Sequence, residues 1–70
     1  MPDIRASMAG TIFKVLVQVE DKVEPGQDVI ILESMKMEIP IQAETAGTVT
    51  EVKVAEGEFV NEGGVLVVLE

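Results

Sequence analysis

Apolar and polar residues alternate along this chain in short stretches, with no long apolar stripe. Ile12, Val15, Val17 and Val19 stand among polar neighbours, and Val29 to Leu32 is a short run dominated by β-branched side chains. The second half repeats the theme with Val49, Val52 and Val54, then Val65 to Leu69. Short, β-branched, alternating segments predict strands. Pro25-Gly26 and Gly63-Gly64 supply the turn signals between them. No segment sustains a 3.6-residue period with caps, so helices are not expected. The expected fold is a small all-β sandwich or flattened barrel. Phe13 and Phe59 are the two aromatics, and both are expected to pack in the core or at its rim.

The chain also resembles itself. Shifted by 37 residues, Ala9-Gly10-Thr11 falls on Ala46-Gly47-Thr48, Val15 and Val17 on Val52 and Val54, and Val23 on Val60. In the same register Gly26 falls on Gly63 and Leu32-Glu33 on Leu69-Glu70. Glycines that keep register through the repeat argue for one supersecondary unit used twice. Two copies, about 9–33 and 46–70, are too few for a solenoid. A self-covering pair related by a pseudo-twofold axis, within one domain over 1–70, is the expected arrangement.

Between the copies runs Ser34-Met35-Lys36-Met37-Glu38-Ile39-Pro40-Ile41. A two-residue turn at Met35-Lys36 would set Leu32 opposite Ile39 and Ile30 opposite Ile41, an apolar face. Glu33 would then face Glu38, and Ile31 would face Pro40, on the other side. A slip of one residue would put Leu32 opposite Pro40 and spoil the apolar face, so the pattern puts Lys36 at the tip, within 34–37. Such a tip is unfavourable on two counts. Tight hairpins want Asn-Gly or Gly at positive φ, where a Cβ is strained. Like charges directly across strands repel. Local violations of this kind tend to mark working sites; a longer loop would remove the strain.

Composition narrows the chemistry. Cys, His, Tyr and Trp are all missing, which removes disulfides, thiolate or histidine metal sites, the commonest general base and the best stacking side chains. The formal net charge of −8 opposes phosphate backbones and anionic headgroups, so neither nucleic acid nor membrane is an expected partner. No window approaches the ~18 apolar residues of a membrane span, and the N-terminus lacks a signal-peptide pattern; a cytoplasmic location is expected.

Glu33-Ser34-Met35-Lys36-Met37 closely resembles the attachment motif of biotin carboxyl carrier domains, (A/S)MKM. The resemblance extends from about Met8 to Glu70 and takes in the Ala-Gly-Thr repeats, Pro25-Gly26 and Glu56-Gly57. The chain is similar to small free-standing bacterial biotin/lipoyl attachment proteins. It lacks the inserted thumb segment of some acetyl-CoA carboxylase carriers. The family implies a flattened barrel of two four-stranded antiparallel sheets.

It also implies that Lys36 carries covalent biotin and that biotin protein ligase reads Glu33, Ser34, Met35, Met37 and Glu38 around it. The partners implied are biotin carboxylase and carboxyltransferase components, between which the arm carries CO₂. The domain is then a substrate and carrier, not an enzyme. A Glu-Ser pair before the lysine is also typical of lipoyl domains, which usually have Ala after it, so lipoate on Lys36 is the alternative. An unmodified adaptor barrel is a third reading, because fold does not fix function.

Overall fold

A computed structural model describes residues 3–70. Eight strands follow one another: β1 (Asp3–Arg5), β2 (Gly10–Val15), β3 (Lys22–Val23), β4 (Asp28–Ser34), β5 (Met37–Gln42), β6 (Gly47–Val52), β7 (Phe59–Val60) and β8 (Val65–Leu69). They form two four-stranded sheets, ordered β1-β8-β6-β3 and β5-β4-β2-β7. Every pairing is antiparallel. The fold is a flattened all-β barrel, one of the two forms the alternation allows and the one the family resemblance implies.

The 37-residue offset is visible in the backbone. It carries β2 onto β6, β3 onto β7 and β4 onto β8, and the last residues of β5 fall on β1. Gly26 N–H donates to the Ala43 carbonyl at 2.8 Å, as Gly63 N–H does to Ala6 at 2.8 Å. Leu16 N–H donates to Val29 at 2.9 Å, as Lys53 N–H does to Leu66 at 2.8 Å. The bulge between Ile12 and Lys14 recurs between Val49 and Glu51. Each copy lends one short strand to the other: β3 pairs with β6, and β7 pairs with β2.

The core is built from matched pairs. Leu32 and Leu69, Ile30 and Val67, Val29 and Leu66, and Ile12 and Val49 are all at most 1% exposed. No polar or charged residue is buried among the described residues, so no side chain of the interior asks for a hydrogen-bonded partner. Phe13 and Phe59 do not join this core. They are 40% and 62% exposed, because Phe13 is the extra residue of the β2 bulge and Phe59 sits on an edge strand.

The topology separates the hairpin from the chain ends. β1 and β8 lie side by side, with Asp3 opposite Val68, the counterpart of Pro40 opposite Ile31. The described ends, Asp3 and Glu70, therefore stand on the other sheet, where a second tip would be. Glu70 exchanges hydrogen bonds with Thr48, whose partner is Lys22 on β3. The short 24–27 link leads from β3 to the start of β4. β4 then runs seven residues to the tip, roughly 20 Å at the rise of a strand.

Candidate functional site

The β4–β5 hairpin closes through Met35 and Lys36, with φ of 52° and 64°. Two successive positive φ values make the primed turn that matches strand twist. The register is Leu32 with Ile39, Ile30 with Ile41, Ile31 with Pro40, Glu33 with Glu38 and Ser34 with Met37. This is the pairing expected from the apolar pattern, and the strain expected at Met35 and Lys36 is present. Leu32 and Ile30, both fully buried, anchor the arms of the hairpin. Local backbone preference is overridden by that burial, at roughly 1.5–3 kcal/mol per large apolar side chain.

The tip stands in solvent. Met35 is 91% exposed and Met37 63%, and Lys36 is exposed. The ion pairs among the described residues are Arg5–Asp3 at 3.2 Å and Lys53–Glu51 at 3.1 Å, so neither ties down the Lys36 amine. Glu33 and Glu38 lie exposed and directly opposed below the turn, and Ser34 is half-buried above them.

Two further segments border the hairpin. A Cβ placed on Gly10 would come within 2.6 Å of the Glu33 carbonyl oxygen. Glycine at this point is what lets β2 close against β4 beneath the tip. Thr11 then pairs with Glu33 on one side and with Phe59 on the other. Phe59 was invisible as a neighbour of the tip in the sequence, because only strand order brings it there. The duplicated Ala-Gly-Thr was the signal for Gly10. A groove of about 300 Å³ lies elsewhere, lined by Asp3, Ile4, Arg5, Gln42, Glu44, Thr45 and Leu69; none of the tip residues contributes to it.

This geometry offers a primary amine, unpaired in ions and free of surrounding walls, on a rigid two-stranded support. It holds no general base in a cleft and, among the described residues, no cluster of acidic side chains able to hold a metal. A family model described as "Biotin-requiring enzyme" matches residues 1–69. The chain belongs to the biotin/lipoyl attachment family. It is 58% identical over 66 residues to the biotin/lipoyl attachment protein of Bacillus subtilis, covering 94% of this chain and 90% of that one. It is 50% identical over 64 residues to the biotin carboxyl carrier protein of Streptococcus mutans, of which it spans 49%. Similarity to the Bacillus subtilis pyruvate carboxylase is 43%, over 6% of that protein. The urea carboxylase of Kluyveromyces lactis contains a matching unit, with a TM-score of 0.92 and 30% identity over 99% of this chain and 6% of that one.

Proposed function

We propose that this chain is a biotin carrier, modified at Lys36 by biotin protein ligase and serving carboxylase components. The observation that carries the reading is Lys36 itself, exposed at the apex of a strained hairpin between two exposed methionines. The relatives named biotin carboxyl carrier protein and pyruvate carboxylase support it. Met37 weighs against lipoate, since lipoyl domains usually have Ala at that position.

The residues fit such a group. Attachment needs an amine that a ligase can enclose, and the turn presents Lys36 with no wall around it. The Lys36 Nζ attacks the acyl carbon of an activated biotin, an amide bond forms, the adenylate leaves and the amine gives up a proton. Met35 and Met37 offer flexible, polarisable side chains for the ligase to grip, with Glu33, Ser34 and Glu38 beside them. Once bound, biotin supplies a ureido nitrogen that takes up and releases CO₂.

The rest of the chain contributes tethering. A rigid barrel holds the arm at high effective concentration near each partner site, first biotin carboxylase and then carboxyltransferase. The chain performs neither reaction. Its acidic surface, at a formal net of −8, suits basic docking sites and opposes nucleic acid and anionic lipid. The reading places it in the cytoplasm with those partners.

Intact mass after co-expression with a biotin ligase tests this. One biotinyl increment is expected, lost in Lys36→Arg, with the formal net passing from −8 to −9 as one lysine charge disappears. A lipoyl increment instead would support the lipoate reading. A chain left unmodified by either ligase would overturn the carrier reading.

A further inference from the structure

The internal repeat supplies its own control. A residue that the scaffold needs in one copy should have a similar counterpart in the other, and the buried positions obey this. The exposed face of the sheet that carries Lys36 does not. Phe13, 40% exposed on β2, has Thr50 as its counterpart. Phe59, 62% exposed on β7, has Lys22. Leu16, 47% exposed just after β2, has Lys53. Polar residues thus hold the same places on the opposite sheet, so the fold itself does not demand the apolar ones. The chain's two aromatic residues are Phe13 and Phe59, and both lie outside the core on the tip sheet. Val19 is also exposed, but its loop is bonded to Val49 on the other sheet through Glu20 N–H, and it stands apart.

The register joins these residues to the tip. Phe59 is opposite Thr11, Thr11 opposite Glu33, and Glu33 opposite Glu38. Directly opposed residues share a face, so one row crosses all four strands just below the turn. It is aromatic at one end and acidic at the other. Phe13 follows Thr11 by two residues along β2, with the Lys14 Nζ 5.8 Å from its ring centroid.

We propose that this row is a docking surface for biotin carboxylase, acting on the group attached to Lys36. The proposal rests on the biotin-carrier reading. The fitting partner surface has an apolar recess for the two rings, edged by arginine or lysine for Glu33 and Glu38. Charge decides the occupant. Two carboxylates in the row, on a chain of net −8, repel a second copy of this chain and repel phosphate surfaces. Aromatic side chains that a contact buries carry a large share of binding energy, and the accompanying charges set orientation and encounter rate. A carrier gripped here would present Lys36 always from the same side.

The test uses the full chain with Phe13→Thr, Phe59→Lys and the double variant, each residue taken from the equivalent position of the other copy. Lys53→Ala on the opposite side is the control. Circular dichroism should show wild-type melting for all of them, and mass spectrometry should show complete biotin loading at the wild-type rate. The loaded proteins are then substrates for a purified bacterial biotin carboxylase with ATP and bicarbonate, and free biotin serves as an untethered substrate. The double variant should raise KM for the carrier about thirtyfold, the cost of losing one hot-spot contact, with kcat within twofold. Lys53→Ala should leave KM unchanged. An unchanged KM in the double variant overturns the proposal. So does slowed ligation with unchanged KM, which would make the face a ligase contact. A wild-type chain that takes up no biotin fails at Lys36 itself, and the docking proposal falls with that reading.

Discussion

Met35 and Lys36 hold left-handed backbone conformations at φ 52° and 64°, and Glu20 holds one at 80°. Each costs an L-residue roughly 1–2 kcal/mol relative to glycine in that conformation. The three positions differ in what the strain accomplishes. Glu20 is the counterpart of Gly57, φ 90°, and no part of the tip. Glu20→Gly should therefore stabilise the protein by about 0.5–1 kcal/mol after the entropy cost of glycine, a rise of a few degrees in Tm, with biotin loading unchanged. Met35→Asn should stabilise by a similar amount, since Asn tolerates this conformation, but should slow ligation. Thermal melting and ligation rates on the same samples check both; equal ligation by Met35→Asn and wild type would show that the methionine has no part in recognition. The tip was legible in the sequence because Leu32, Ile30, Ile39 and Ile41 allow only one apolar register. Phe59 was not, because its place beside Thr11 depends on strand order across distant segments.

At the scale of the hairpin and its neighbours, the opposed Glu33 and Glu38 are a repulsive cross-strand pair. Glu38→Lys should convert it to an attractive one, stabilising by about 0.2–1 kcal/mol while weakening engagement with basic partners. Denaturant unfolding and the KM for biotin carboxylase report the two effects separately. The β2–β4 contact depends on Gly10. Gly10→Ala should cost about 1–3 kcal/mol, because a Cβ would lie 2.6 Å from a backbone carbonyl that cannot swing away. Gly47→Ala, at 3.1 Å from the Glu70 carbonyl, should cost less. Urea midpoints that rank the two the other way would show that β4 shifts to make room. Among the longer strands, β2 and β6 announce themselves by alternation, β4 and β8 by their short apolar runs, and β5 by the apolar face it shares with β4. The strands β3 and β7, two residues each, are too short to carry a period, and the bulge that throws Phe13 outward has no signature in a simple alternating pattern.

Over the whole molecule, strand exchange decides cooperativity. Since β3 completes the sheet of β6 and β7 completes that of β2, neither copy has a full sheet of its own. Residues 1–37 made as a peptide should show no strand signal by circular dichroism. In the intact chain, Leu32→Ala and Leu69→Ala should each cost about 2–5 kcal/mol, both side chains being at most 1% exposed. The unfolding transitions should coincide by circular dichroism and by amide exchange; separate transitions would mean that the halves melt independently. The pairing of β1 with β8 places the two described ends of the chain together, at the site where symmetry would put another hairpin, far from Lys36. A four-residue bridge from Glu70 to Met1 would restore the 37-residue spacing all round and close the polypeptide into a ring. A bridge of Ser-Met-Lys-Met would build a second acceptor apex, so one circular molecule could shoulder two prosthetic arms facing opposite ways.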